Sequence, residues 1–230
     1  MGWKMIYLAR RNPALAAEQF PQAWREHSAL GAACTNVRDR IVSVVQCSRI
    51  LGEETLRGAT GAYDGVNLLS LRDLEAATAI WNDPETLAVM RPDEPRVFST
   101  YVRDFTLVCE ERIVRDVPRG TTCLVGFLQR AATVTLADWK ARIAPVAVDS
   151  SMAGGGFVAA RRVVHNVVQL PPPSGYEYDS IVEWWFDSPD SAREAFGGRD
   201  VRDALAGAGW AGADLTNSVF ILTRVTHSRP

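Results

Sequence analysis

Two segments carry the most informative alternation of apolar and polar positions. Along 178–187, Val182, Trp184 and Phe186 fall on one face of a strand, and Ile181, Glu183 and Trp185 fall on the other. Along 64–71, Val66, Leu68 and Ser70 oppose Asn67, Leu69 and Leu71. An antiparallel sheet covered by helices on one side shows polar residues on its far side. Neither segment does, so something other than water covers both faces. Two sheets that face each other, with helices outside, meet that demand as a barrel-like core.

The same reading predicts strands at about 3–10, 38–49, 64–71 and 101–111, with helices at about 14–32 and 73–90. It then predicts strands near 121–129, 157–169, 178–187 and 216–227, with helices at roughly 135–148 and 188–206. Thr135-Leu136-Ala137-Asp138 and Ser188-Pro189 supply helix starts. The order β-α-β-β-α-β occurs twice, which is the ferredoxin-like unit. Self-similarity supports the doubling. Tyr63-Asp64-Gly65-Val66 recurs as Tyr178-Asp179-Ser180-Ile181, and Phe105-Thr106-Leu107-Val108 recurs as Phe220-Ile221-Leu222-Thr223, both at a shift of 115. Met5 to Arg11 aligns with Leu124 to Arg130 at a shift of 119, so the second copy is shorter in the loop before its Tyr-Asp pair, where Pro171-Pro172-Pro173-Ser174-Gly175 stands. The expected fold class is α+β, with two tandem ferredoxin-like repeats over 1–117 and 118–230 whose antiparallel sheets pack face to face as an α+β barrel.

Composition narrows the function classes. The chain has 230 residues, 47% of them apolar and 23% charged, with a net charge of -2, so it reads as globular rather than disordered or fibrous. No polybasic run offers a footprint for nucleic acid or anionic lipid, and neither is expected as a partner. Only Lys4 and Lys140 are lysine among the basic residues; a coding bias towards arginine explains this better than an anion site does. The apolar stretch at the N-terminus is too short for a signal sequence and no window approaches a membrane span, so a cytoplasmic location is expected. Cys34, Cys47, Cys109 and Cys123 form no C-x-x-C pair, which favours reduced core thiols. Gly154-Gly155-Gly156 lacks the Lys-Ser/Thr of a phosphate loop, and three histidines on separate elements show no metal-ligand spacing. No cofactor and no metal are expected.

The first half resembles the EthD-like family of the dimeric α+β barrel superfamily, named after a protein linked to bacterial ether degradation. The resemblance rests on Arg10-Arg11-Asn12-Pro13 after the first strand, on Phe20, Trp24 and His27 along one helix, and on Tyr63-Asp64-Gly65. The second half is similar through Tyr178-Asp179 and Glu183-Trp184-Trp185-Phe186-Asp187-Ser188. The superfamily includes cofactor-independent isomerases, cyclases, dehydratases and monooxygenases as well as haem-binding branches, so the fold does not choose a reaction. The His-Ala-Pro of the pattern is here His27-Ser28-Ala29-Leu30, and Trp139, Ile143 and Val146 stand where the first half has Phe20, Trp24 and His27. Leu68 and Ser70 align with Glu183 and Trp185. One composite pocket, lined from both halves, is expected rather than two equivalent ones.

Glu183 is the first candidate for catalysis, because a carboxyl group desolvated beside Ile181 and Trp185 suits a general acid or base. The alternative is a buried glutamate held by Arg161 or Arg224. His165 lies between Val164 and Asn166, which must point to opposite sides of the strand from it. If His165 shares the Glu183 side the two can exchange a proton, with Gln46 as its aligned counterpart; otherwise it is a structural histidine. The resemblance places His27 near the barrel mouth, with a surface or capping role as the alternative. Trp185 is expected as a ligand platform, with a core role as the alternative, and Ile181, Leu68 and Gln46 complete the expected binding surface. His227 reads as a solvated tail residue. The function expected is cofactor-independent acid-base chemistry (lyase, isomerase or cyclase) on a small apolar, aromatic or polyketide-like molecule in the barrel interior. A cofactor-free monooxygenase and a non-catalytic binding or accessory protein are the alternatives, and a homodimer of tandem chains stays open.

Overall fold

The computed structural model describes residues 2–52, 55–141, 157–207, 210 and 212–230. Eight strands are present: β1 (Gly2–Ala9), β2 (Ile41–Arg49), β3 (Gly65–Leu71), β4 (Thr106–Arg115), β5 (Thr122–Arg130), β6 (Arg162–Val168), β7 (Ser180–Phe186) and β8 (Ala213–Arg229). They close an antiparallel barrel in the order β1-β3-β2-β8-β5-β7-β6-β4. One run of four strands reads β4-β1-β3-β2 and the other β8-β5-β7-β6, and the closing ladders are β2 with β8 and β4 with β6. The expected barrel is therefore present, but its two sheets are hydrogen-bonded edge to edge and no free edge is left.

Period-two alternation splits the apolar residues of each strand between two layers. Ile6, Leu8, Val45, Cys47, Val66, Leu68, Cys123, Val125, Ile181 and Trp185 turn inward and fill the barrel with side chains. Met5, Tyr7, Val44, Leu69 and Leu71 turn outward to helices of the first half, and Leu124, Leu128, Val182, Trp184 and Phe186 to those of the second. Every residue of β7 is buried, which is what its two apolar faces require.

The first helix, α1 (Phe20–Ala33), lays Phe20, Ala23, Trp24, His27 and Gly31 on the sheet at intervals of three and four. A short α2 (Thr35–Arg40) follows, so 38–40 is helical and not the start of a strand. The expected helix over 73–90 is broken into α3 (Leu74–Ala79), a 3₁₀ turn (Ile80–Asn82) and α4 (Pro84–Val89). Pro84 cannot continue a helix, and Asp83 caps the new start by accepting from the Thr86 amide. One turn, α5 (Glu94–Val97), precedes β4. In the second half a helix, α6, opens at 136 and is described as far as 141; the rest of the helix expected over 135–148, and Gly154 to Gly156, lie outside the described residues. The helix expected over 188–206 is two helices, α7 (Pro189–Phe196) and α8 (Val201–Gly207). Gly197 ends α7 in the left-handed region at φ 55.

Candidate functional site

Three separate places receive the candidate residues. Inside the barrel, Glu183 is 2% exposed and fully engaged. Lys4 Nζ lies 2.7 Å from its Oε1, Asn166 Nδ2 donates to Oε1 at 2.8 Å, and Trp185 Nε1 donates to Oε2 at 3.0 Å. Lys4 is shared with Glu111 at 2.7 Å. Burial works against the Lys4 ammonium, but the two carboxylates outweigh it and hold its proton affinity above the ordinary lysine value. Glu183 is thus paired with Lys4, which enters from β1, while Arg161 pairs with Asp187. Leu68, Ile181 and Trp185 lie where expected, in the interior packing, with the Arg119 guanidinium 5.8 Å above the Trp185 ring. A polar cavity of about 100 Å³ adjoins this network between Ser43, Ser70 and Arg119.

His165 does not join Glu183. It pairs with Val182 across β6 and β7 while Asn166 pairs with Ile181, so Asn166 turns inward and His165 turns out towards the helices. Its Nε2 meets Ser180 Oγ at 3.1 Å, and Ser180 Oγ also accepts from Trp139 Nε1 at 3.1 Å. Burial, aided by Arg112, pushes the imidazole down to about 3, so it is neutral at pH 7.

His27 and Gln46 form the third place, beneath α1 on the outer face of the first half. They line a largely apolar cavity of about 70 Å³ with Met5, Leu69, Ile80 and Met90. His27 Nδ1 is 2.9 Å from Asp93 Oδ2, and Asp93 in turn accepts from Arg96 at 2.7 Å. Phe98 meets the imidazole edge-on at 5.4 Å. Burial lowers the proton affinity of His27 more than Asp93 raises it, leaving a neutral ring. An Nδ1–H donated to Asp93 leaves Nε2 as the basic nitrogen. Glu94 lines the same cavity; burial raises the pKa of its carboxyl, although Oε2 accepts from the Val102 amide at 2.9 Å. The floor is a cross-strand row in which Tyr7 pairs with Asn67 and Asn67 with Gln46. The row continues to His227, which is half-buried in β8 and is not a solvated tail residue.

A cavity lined from both halves is thus present beside Glu183, Trp185 and Leu68, but it gathers neither histidine: His27, His165 and Glu183 occupy the first helix layer, the second helix layer and the barrel interior. Sequence reasoning passed over Asp93, Glu94, Asn67, Lys4 and Asn166. Lys4 carried a usable signal, as a lone charge among the inward positions of an apolar strand. Asp93 and Glu94 carried none, because they reach His27 and the cavity only through the tertiary fold. Among the described residues no group of three His, Cys, Asp or Glu side chains converges as a metal site. Among the same residues no helix is long and apolar enough to cross a membrane.

A sequence profile of the EthD domain matches residues 12–100, the segment that contains His27, Gln46, Asn67 and Asp93. No curated protein matches the chain. Among solved structures, the chain is similar to an anthrone oxidase-like protein at 12% identity and a TM-score of 0.63, covering 99% of this chain and 92% of that one. It is similar also to a proposed monooxygenase of Fusobacterium nucleatum subsp. nucleatum, at 8% identity and a TM-score of 0.59 over 99% and 94% of the two chains. A proposed monooxygenase of Lactobacillus acidophilus follows at 5% identity and a TM-score of 0.52, again over 99% and 94%. At these identities the likeness is one of fold.

Proposed function

We propose that the chain is a cofactor-independent enzyme that removes a proton from a small, largely apolar substrate, and that the reaction takes place in the cavity beneath α1. The observation that carries this reading is His27: a buried, neutral imidazole oriented by Asp93 and set in the wall of an apolar cavity. An imidazole so held accepts a proton at Nε2 while Asp93 stabilises the cation that forms. Glu94, whose carboxyl burial shifts towards the protonated form, lines the same enclosure. The barrel interior suits an apolar substrate less well, since both oxygens of Glu183 already have partners and the cavity beside it is lined mainly by polar and charged groups.

The names carried by the structural neighbours favour a second reading, oxygenation of the carbanion that the same proton abstraction produces. Both readings start at His27 and part afterwards. The test is to incubate the protein with anthrone and with other ketones bearing an activated methylene. Deuterium uptake at that carbon in D₂O under argon reports proton transfer, and oxygen consumption in air reports oxygenation. His27→Asn is expected to lower either rate by about 10²- to 10⁴-fold, and Glu183→Gln to leave the rate per folded molecule within a few-fold. The reverse pattern would return the chemistry to the barrel interior. A protein that binds these compounds and changes none of them would be a binding protein.

The two halves, 1–117 and 118–230, are proposed to be copies of one module. Besides the strand order, the same clasp occurs in each: the Arg11 amide donates to Asp64 and its side chain to the Leu15 carbonyl, as the Arg130 amide donates to Asp179 and its side chain to the Val134 carbonyl. Placement in the cytoplasm, and a partnership with small hydrophobic molecules rather than nucleic acid, belong to the same proposal.

A further inference from the structure

The floor of the α1 cavity contains two acceptors with nothing to accept. Gln46 is 1% exposed and Asn67 is 3% exposed, yet Gln46 Oε1 and Asn67 Oδ1 have no partner among the described residues. Gln46 is oriented by its other end: Nε2 donates to the Trp24 carbonyl at 3.2 Å, and turning the amide over would set oxygen against that carbonyl. The Asn67 amide meets the Tyr7 hydroxyl, which accepts from Trp24 Nε1 at 3.0 Å. The two residues are directly opposite on β2 and β3, which sets their Cβ atoms about 5 Å apart. Buried acceptors are satisfied in folded proteins, and these two adjoin a cavity whose remaining wall is mostly apolar.

We propose that Gln46 and Asn67 are the specificity-determining residues of the cavity, and that they select an aromatic ligand by its ring hydroxyl groups, which donate to Gln46 Oε1 and Asn67 Oδ1. The proposal rests on the reading of this cavity as the working site and adds the class of molecule it takes. Two unpartnered acceptors on the floor favour a ligand hydroxyl, which can donate, over a ligand carbonyl, which cannot. The mostly apolar walls disfavour a phosphate; Arg229, whose Nε has no partner among the described residues, lines the same cavity and can meet the oxygen of a hydroxyl that has donated its proton to an amide. At about 70 Å³ the cavity admits a six-membered ring when Met90 moves, and Met90 is the part of the wall most able to do so. It packs on Gly31, where an added Cβ would lie 2.9 Å from its terminal methyl.

The experiment is a protein-observed NMR titration of the full chain with phenol and with toluene, following the side-chain amide signals of Gln46 and Asn67. A purely apolar cavity prefers toluene. The expected result is at least about tenfold tighter binding of phenol, with the two amide signals shifting, and loss of that preference in Gln46→Met and Asn67→Leu. Equal or tighter binding of toluene by the wild-type protein overturns the proposal while leaving the cavity itself as a binding site. A preference for phenol that survives both substitutions also overturns it. Binding of neither ring removes the cavity reading and this proposal with it. Should a variant lose its dispersed spectrum, the wild-type order of the two ligands still decides.

Discussion

His27 and His165 are both buried imidazoles with lowered proton affinity, but only His27 has a carboxylate on its second nitrogen. The difference fixes what each does as the pH falls. An unfolded histidine titrates near 6.5, whereas burial holds His165 down to about 3. Between those values the unfolded chain binds the extra proton and the folded chain does not, so stability is full above about pH 6.5 and is lost progressively as the pH falls towards 3. His165→Gln, which installs the residue found at the aligned Gln46, removes this linkage. Urea denaturation at pH 7 and pH 4 should show the variant losing less stability over that interval than the wild type, by on the order of 2–3 kcal/mol. Equal losses would mean that His165 is not held neutral in the folded chain. His27 follows the same sign in catalysis: it must be neutral to take a proton, so the acid limb of the rate profile should fall below the ordinary imidazole value, and Asp93→Asn should weaken the rate without moving substrate binding to the same degree.

At the scale of elements, how α1 meets the sheet decides whether the cavity exists. Trp24 lies over the start of β3, where a Cβ at Gly65 would come within 2.6 Å of the indole and 2.8 Å of the Cys47 carbonyl. Gly65→Ala should therefore lift α1 or tilt Trp24, costing about 1–3 kcal/mol in thermal or urea unfolding and loosening the Trp24 Nε1 bond to Tyr7 at 3.0 Å. An unchanged midpoint would show that the contact yields freely. The strands were legible because their apolar residues alternate, and the doubled apolar faces of 64–71 and 178–187 required a covered sheet on both sides. The helix breaks were not read, although Pro84 and the Gly197-Gly198 pair carry the local signal, because an apolar helical period runs through both places. The face of His165 was not legible: Val163, Val164, Val167 and Val168 leave its strand equally apolar on either side, and only the register against β7 decides. Asp93 and Glu94 belong to a turn of α5 whose position relative to His27 is set by packing, which no spacing in the sequence encodes.

At the scale of the whole molecule, Lys4 and Glu183 bind the beginning of the first half to the third strand of the second across 179 residues. The aligned positions are Cys123 for Lys4 and Leu68 for Glu183, both packed in the same interior. The charged pair therefore joins the first half to the second in one sense only, with no counterpart at the aligned positions. Its contribution is better tested for pairing than for total stability, because desolvation offsets most of the Coulomb gain of a buried ion pair. Lys4→Met leaves Glu183 buried with only Asn166 and Trp185 as donors, and should destabilise the chain by about 3–5 kcal/mol. Lys4→Met combined with Glu183→Leu replaces both charges by apolar groups, while Glu111, at 20% side-chain exposure, can be hydrated. The double variant should recover most of the loss, giving a coupling energy well above the additive sum when urea midpoints of the two single variants and the double are compared. What it should not recover is the distinction between the two halves. Chains with a neutral interior can close first half on first half and second on second with a neighbour, a pairing that in the wild type would strand Lys4 and Glu183 apart, and should show more of this mispaired dimer by light scattering after refolding at high concentration. Additive losses, or a double variant that refolds to the same species as the wild type, would show that the ion pair selects no partner and that the loops alone hold the halves together.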